Sequence, residues 1–325
     1  MKILLTGASG FAGRHLLRVL IEEGGHRVLA LSGHTRLDSP GLPRGEGVEW
    51  RRVDLRSQAE VDQAVANFRP EGVVHLAART QIVEADQDPG GTLEINAVGT
   101  LRLLEALSRR APDAKVVIAS SAAVYGAVAE KDLPAREGAT PVRPQGVYGV
   151  SKATAEMLAH FFESSAGLSA VVVRPFNVVG PGQTDRFAAS SFARQLAAIE
   201  MGMQEPRIRV GNLRARRDVT DVRDVARAFR AALDLEPSGP YNVCSGRAVG
   251  MTELVGLLLR VSGVNASVEV DPNRLRTNEI AVVLGDPSKF SAASGWKRRH
   301  VLEETLRDLY EDWRRRLRSA PGGES

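Results

Sequence analysis

The 325-residue sequence contains a single cysteine, Cys244, so no intramolecular disulfide can form, and its place in the short run YNVC predicts a packed strand residue. No apolar stretch approaches the roughly 20 residues that span a bilayer. The N-terminus lacks the succession of charged segment, apolar run and small-residue cleavage site of an exported chain. These absences predict a cytoplasmic protein with no membrane partner. Lysine is scarce, and arginine supplies most of the 43 basic residues. Set against 39 acidic residues they leave a net charge of only +4, and they are spread along the chain, which argues against nucleic acid as a partner. Internal repeats and low-complexity segments are absent, and no metal site is expected.

With 43% hydrophobic residues the chain has enough apolar material for a large core. In the first half, short β-branched or leucine-rich runs (KILLT, HRVLAL, VEWRRVDL, GVVHLAA, AKVVIASS) alternate with helical patterns from Ala12 to Glu23, Gln58 to Phe68 and Leu93 to Arg109. Strands alternating with helices long enough to cross back predict an α/β fold, a doubly wound parallel Rossmann sheet. A helix from about Tyr148 to Ser164 precedes a sixth strand, LSAVVVRPFNVVG. Beyond it helical segments dominate. The expected division is a dinucleotide-binding domain over 1–176 and a smaller, mostly helical C-terminal substrate-binding region over 177–325, with the chain crossing between them near 241–244. The last segment is helical through Trp313, and its Gly- and Ser-containing end is expected to be disordered.

TGASGFAG follows the first strand and opens the first helix, placing Gly7, Gly10 and Gly13 in the turn. Glycine permits the tight turn and lets backbone N–H groups approach a pyrophosphate, which the positive end of the helix favours. The second strand ends in ALSGHTR, without the acidic side chain that would hold a ribose 2′-hydroxyl. NADP(H) is therefore favoured, with NAD(H) as the alternative. Ser32 and Arg36 are the candidates for a 2′-phosphate, Arg36 having also a plain solvent-facing reading. Asp54, in VDL, is placed either to accept from the adenine amino group or to cap the helix that follows.

Tyr148 and Lys152, in YGVSK, are four apart on one helix and face the same way. An ordinary phenol is a poor acid–base group at neutral pH, and a nearby ammonium favours its ionised form, so Lys152 is expected to tune Tyr148. Ser121, at the end of the fifth strand, is the hydroxyl expected to meet the tyrosine. In a reduction Tyr148 would give its proton to the developing alkoxide while Ser121 hydrogen-bonds that oxygen. Tyr125 has no lysine four residues on and reads as a substrate-pocket or packing residue.

TGASGFAG, VDL, HLAA, INAVGT, SSAAVYG, YGVSK and RPFNVVGPGQ together resemble the extended short-chain dehydrogenase/reductase family over nearly the whole chain. RPFNVVGPGQ, VGNLRARRDVTDVRDVARAF and RTNEIAVVLGDPSKF are most similar to its GDP-mannose 4,6-dehydratase and GDP-4-keto-6-deoxy-mannose reductase branch. The resemblance implies a nucleotide-sugar substrate, GDP-linked in this branch. It places Ser9, Phe11, Ala12, Leu55, Leu76, Ala77 and Ala78 against the cofactor and gives Lys152 the nicotinamide ribose as well. It also implies that Asn177 and Arg217 lie near the diphosphate, with Arg209 and Asn212 nearby, that Arg276 and Glu279 take the nucleotide ribose, and that Thr80 and Ala122 line the sugar site. Arg217 has a second reading as a structural ion pair with Asp218. Asn96 is expected to support the active-site backbone. Helices near Leu93–Arg109 and Tyr148–Ser164 form a four-helix bundle in dimers of this family, which implies a homodimer.

The dehydratases of this branch carry an acidic residue directly after the strand-end hydroxyl. Here Ser121 is followed by Ala122 and Ala123, neither of which can act as acid or base. Reduction of the 4-keto group of a GDP-4-keto-6-deoxy-hexose, giving GDP-rhamnose or its 4-epimer, is then the expected reaction. The rivals are a nucleotide-sugar 4-epimerase with tightly held NAD and a non-catalytic dinucleotide-binding regulator.

Overall fold

The structure is a computed structural model and describes residues 1–33, 36–39, 41–237, 239–275 and 279–319. Its centre is a parallel sheet of β1 (Lys2–Thr6), β2 (Arg27–Ser32), β3 (Val48–Arg52), β4 (Gly72–His75), β5 (Lys115–Ala119), β6 (Ser169–Pro175) and β10 (Tyr241–Val243), in the order β10-β6-β5-β4-β1-β2-β3. Every neighbouring pair is parallel. The strands β1, β2, β4, β5 and β6 are largely continuous buried apolar runs because both faces are covered, whereas β3, at the edge, carries Glu49, Arg51 and Arg52.

One face carries α1 (Phe11–Glu23), together with α8 (Val222–Ala232) and α10 (Ser288–Ser294) from the second half of the chain. Leu16, Leu17 and Leu20 of α1 follow the helical spacing and are 0–1% exposed; each contributes about 1.5–3 kcal/mol by leaving water. The other face carries α2 (Gln58–Phe68), α5 (Gly99–Arg110) and α6 (Gly146–Ala166), which pack Val61, Leu103 and Ala155 against Leu4, Val73 and Val116. Between α2 and α5 the chain forms the short helices α3 (Ile82–Gln87) and α4 (Pro89–Leu93) and a π-helical turn at Glu94–Val98. The single helix expected from Leu93 to Arg109 is therefore interrupted by one wide turn, and that turn directs Asn96 into the interior.

The run LSAVVVRPFNVVG is two strands rather than one. Pro175 has no N–H to extend the ladder, and the chain leaves the large sheet there and enters a small second one. In that sheet β9 (Arg216–Asp221) pairs with β7 (Asn177–Val179), β11 (Ala248–Gly250) and β13 (Val282–Val283). A two-stranded ribbon joins β8 (Arg207–Val210) to β12 (Ser267–Val270). Helices α7 (Ala188–Glu200), α9 (Met251–Ser262) and α11 (Leu302–Ser319) enclose a separate core around Phe192, Leu196, Leu258, Leu309 and Trp313. Strand order reverses between β1 and β4, so the crevice for a ligand opens at the carboxyl ends of these two strands. No helix among the described residues is long and apolar enough to cross a membrane.

Candidate active site

Gly7 begins the turn after β1 with φ of 67°, a conformation glycine adopts freely, and a Cβ there would meet the Ala77 backbone nitrogen at 2.7 Å. The glycine loop thus lies directly on the Leu76–Ala78 segment that leaves β4. A Cβ on Gly13 would stand 2.1 Å from the Gly7 carbonyl oxygen, so this helix can approach the strand only as glycine. Gly10 caps α1 without any side-chain hydrogen bond, leaving the first amides, those of Phe11 and Ala12 among them, for an external acceptor. A bare cradle backed by a helix of 13 residues suits a dinucleotide pyrophosphate.

At the adenosine end Ser9 Oγ and Ser32 Oγ are 2.9 Å apart, with Ser32 buried at the tip of β2. Arg36 lies exposed beyond it and pairs with Asp38 at 3.0 Å. Asp54 and Leu55 follow β3. Asp54 does not cap α2: Ser57 does, accepting from the Glu60 amide, while the Asp54 carboxylate takes the amide and guanidinium of Arg56. The serine lies at the N-cap position and the aspartate three residues before it, which removes the capping alternative.

Ser121 lies two residues past the end of β5 and caps a short 3₁₀ turn, accepting from the Ala123 amide at 3.1 Å. Helix α6 approaches this turn closely, since a Cβ on Gly149 would be 2.8 Å from the Ala123 carbonyl oxygen. That approach sets Tyr148 near enough to Ser121 for the serine to act on the phenol. Burial pushes the Tyr148 phenol above its ordinary value, and the Ser121 bond pulls it partly back. Lys152, buried one turn along, donates to the Ala119 carbonyl at 2.7 Å. Burial lowers its ammonium to about 8 and the carboxylate of Glu156 acts in the opposite sense. The expected direct tuning of Tyr148 by Lys152 is not what the geometry shows: the ammonium is bound to main chain, and Tyr148 responds to burial and to Ser121.

Behind this pair runs a buried polar chain. Asn96 receives the Arg79 amide and donates to the Arg79 carbonyl and to Ser151, which in turn holds the Tyr148 carbonyl. Thr100 donates to the Asn96 carbonyl and so accepts from His75 Nε2, leaving Nδ1 to accept from Thr6. Burial, and secondarily the charge of Lys152, lower His75 to about 3 and keep it neutral. Asn96 thus fixes the backbone on both sides of the site. Tyr125 is a packing residue: its buried hydroxyl donates to Asn242 and accepts from Arg174. Cys244 is buried against Phe176 and Gly285, and burial pushes its thiol far above the ordinary range.

Of the expected substrate residues, Ala122 sits beside Ser121 at the start of the 3₁₀ turn and Thr80 is exposed after β4. Asn177 lies in β7 opposite Val219, two residues from Arg217 along β9. Arg217 pairs with Glu279 at 3.0 Å. Asp218 instead accepts from the Ser245, Gly246 and Gly285 amides, so the Arg217–Asp218 ion pair does not form. The two neighbours point to opposite faces of a strand, which the spacing alone requires. Asn212 accepts from the Arg214 amide. Arg209 lines an open polar cleft of about 630 Å³ with Arg207, Arg194, Arg274, Gln195 and Glu205. Sequence reasoning named only Arg209 of these. The pattern RIRV, with Arg207 and Arg209 on one face and buried Ile208 and Val210 on the other, carried the signal. Arg276 lies outside the described residues, as does the tail after Ser319.

Residues 4–309 match the family described as GDP-mannose 4,6 dehydratase. The chain is 36% identical to a GDP-6-deoxy-D-mannose reductase of Pseudomonas aeruginosa, over 98% of each chain. Among solved structures, the RMD protein of Pseudomonas aeruginosa complexed with NADPH superposes with a TM-score of 0.84 at 34% identity, covering 97% of this chain and 99% of that one. A UDP-glucose 4-epimerase of Thermotoga maritima with UDP-glucose gives a TM-score of 0.88 at 27% identity, over 98% and 100% of the two chains.

Proposed function

Since the chain belongs to the GDP-mannose 4,6-dehydratase family within the extended short-chain dehydrogenases/reductases, we infer that it is the reductase of that branch, using NADPH to reduce the 4-keto group of GDP-4-keto-6-deoxy-D-mannose to GDP-D-rhamnose. The observation that carries this reading is the juxtaposition of Tyr148 with Ser121, beside Ala122 and Ala123. It is a proton-donating pair with no carboxylate where dehydration needs one.

NADPH supplies the hydride when bound. The chain's own residues do the rest. Gly7, Gly10 and Gly13 leave room for the pyrophosphate, and the uncapped amides of α1 face it. Tyr148 holds its proton through the neutral range because burial raises its phenol, and it delivers that proton to the oxygen that becomes the C4 hydroxyl. Ser121 bonds the same oxygen and orients Tyr148. Lys152, anchored on Ala119, is placed for the nicotinamide ribose. Asn177, Arg217 and the cleft that contains Arg209 form the nucleotide end, where a diphosphate is held by cations and N–H donors. Glu279 with Arg276 takes the ribose diol.

The reading includes the division at about residue 176 into cofactor and substrate regions, a cytoplasmic location and a homodimer. Val150, Met157 and Phe161 support the dimer: they form a stripe on α6 that is 43%, 72% and 57% exposed. The test is consumption of NADPH by the purified protein with GDP-4-keto-6-deoxy-D-mannose, with product stereochemistry read by proton NMR. Stoichiometric consumption and an equatorial C4 hydroxyl are expected. Epimerisation without consumption would replace the reductase by an epimerase.

A further inference from the structure

Selection of the 2′-phosphate requires a fixed cation at the adenosine ribose, and Arg36 does not meet that requirement. Its side chain is 87% exposed, and its charge is answered by Asp38. Arg14, in the first turn of α1 one residue past Gly13, does. Its Nε donates to the Ser9 carbonyl at 2.8 Å, which pins the guanidinium over the glycine loop. Its Nη1 reaches the connection after β2, where a Cβ on Gly41 would lie 3.6 Å away. The guanidinium therefore bridges the two segments that enclose the adenosine ribose of a dinucleotide, next to the Ser9–Ser32 hydroxyl pair.

Its charge is also unanswered. Among the described residues no carboxylate lies within 4.0 Å of Arg14, whereas most other arginines of this protein are paired. Its charged neighbours are Arg18 on its own helix and Arg316 on α11, both repulsive, and Arg316 is itself held by Asp312. A half-buried guanidinium facing like charges is an arrangement that a phosphate dianion relieves.

We propose that Arg14 is the residue that selects NADP(H) over NAD(H), by receiving the 2′-phosphate between the glycine loop and the segment after β2. This rests on the NADP(H) reading above and adds to it the group that enforces it. Ser9 and Ser32 supply hydroxyls to the same phosphate.

The test uses fragments of the cofactor, so it does not depend on turnover. Dissociation constants of 2′,5′-ADP and 5′-AMP are measured by calorimetry on the full-length wild type and on Arg14→Gln and Arg14→Lys. The wild type is expected to prefer 2′,5′-ADP by tenfold or more, the range of one or two charge-assisted hydrogen bonds. Arg14→Gln brings the two ligands close to parity by weakening 2′,5′-ADP alone, and Arg14→Lys, which keeps the charge and the fold but loses the fork, falls between. If Arg14→Gln and Arg14→Lys keep the full preference, or weaken both ligands equally, the assignment is wrong. A wild type that binds the two ligands equally contradicts the NADP(H) reading itself, a result distinct from failure of Arg14.

Discussion

Glu156 lies one helical turn beyond Lys152 on α6 and grips Arg174 of β6 through two hydrogen bonds, at 2.6 and 2.8 Å. Ser120 donates to the same carboxylate, and Arg174 continues to Tyr125. Glu156 holds the Lys152 ammonium up against the lowering effect of burial. Glu156 on its own helix faces Lys152, and the neutral His75 on β4 feels its charge.

The sign follows from that placement. Lys152 titrates at about 8, so the reductive rate should fall on the alkaline side as its charge is lost. Neutralising Glu156 as Glu156→Gln removes the raising influence and moves that limb to lower pH. The check is kcat/KM against pH for both proteins. An unmoved limb in a folded variant would separate Glu156 from the site.

Gly13→Ala places a methyl group 2.1 Å from the Gly7 carbonyl oxygen, against backbone that cannot yield. Cofactor affinity should fall by at least tenfold, with a loss of stability on the order of 1–3 kcal/mol from overpacking. Quenching of tryptophan fluorescence by NADPH and thermal unfolding read the two effects. Gly256→Ala, on α9 with open space around its Cβ, serves as the control and should leave both unchanged or slightly improved.

His75 is held at about 3 against an ordinary 6.5, so the unfolded chain binds a proton there that the folded chain refuses. Its contribution is fully present above pH 6.5 and is lost as pH falls towards 3, at about 1.4 kcal/mol per pH unit. His75→Gln should therefore show a flatter decline in denaturant stability between pH 6.5 and 4 than the parent protein. Parallel declines would mean that other groups govern the acid limb.

Arg217→Met removes a guanidinium that Glu279 holds in place and that the proposed function assigns to the nucleotide end. KM for the GDP-sugar should rise about tenfold or more, the magnitude of a charge-assisted hydrogen bond, with kcat within a few-fold of the parent. Steady-state kinetics distinguish this from loss of kcat at constant KM, which would put Arg217 at the reacting atoms.

The glycine loop and the Ser121, Tyr148 and Lys152 set were legible because each requires a particular residue at a fixed local spacing. Local spacing also located the first three crossover helices. Other features depended on partners distant in the chain. The break after Pro175 became visible only with β9 in place, and although the crossing near 241–244 was expected, the pairing of β10 with β6, across the 65 residues between Pro175 and Tyr241, was not. The second reading of Arg217 paired it with Asp218 because they are adjacent, yet alternation along β9 sends one to Glu279 and the other to the amides at Ser245 and Gly285. Arg14 was silent among so many arginines. Only the fold shows that Asp38 answers Arg36 while no described carboxylate answers Arg14.

The most direct test of the reductase reading follows the hydride. NADPH carrying deuterium at the nicotinamide C4 is incubated with GDP-4-keto-6-deoxy-D-mannose, and the sugar is examined by mass spectrometry and NMR, with Tyr148→Phe alongside. A single deuterium at C4 of the product, lost in the variant while cofactor still binds, is the result predicted. An epimerised or unchanged sugar without deuterium, and the labelled cofactor recovered unoxidised, would contradict it.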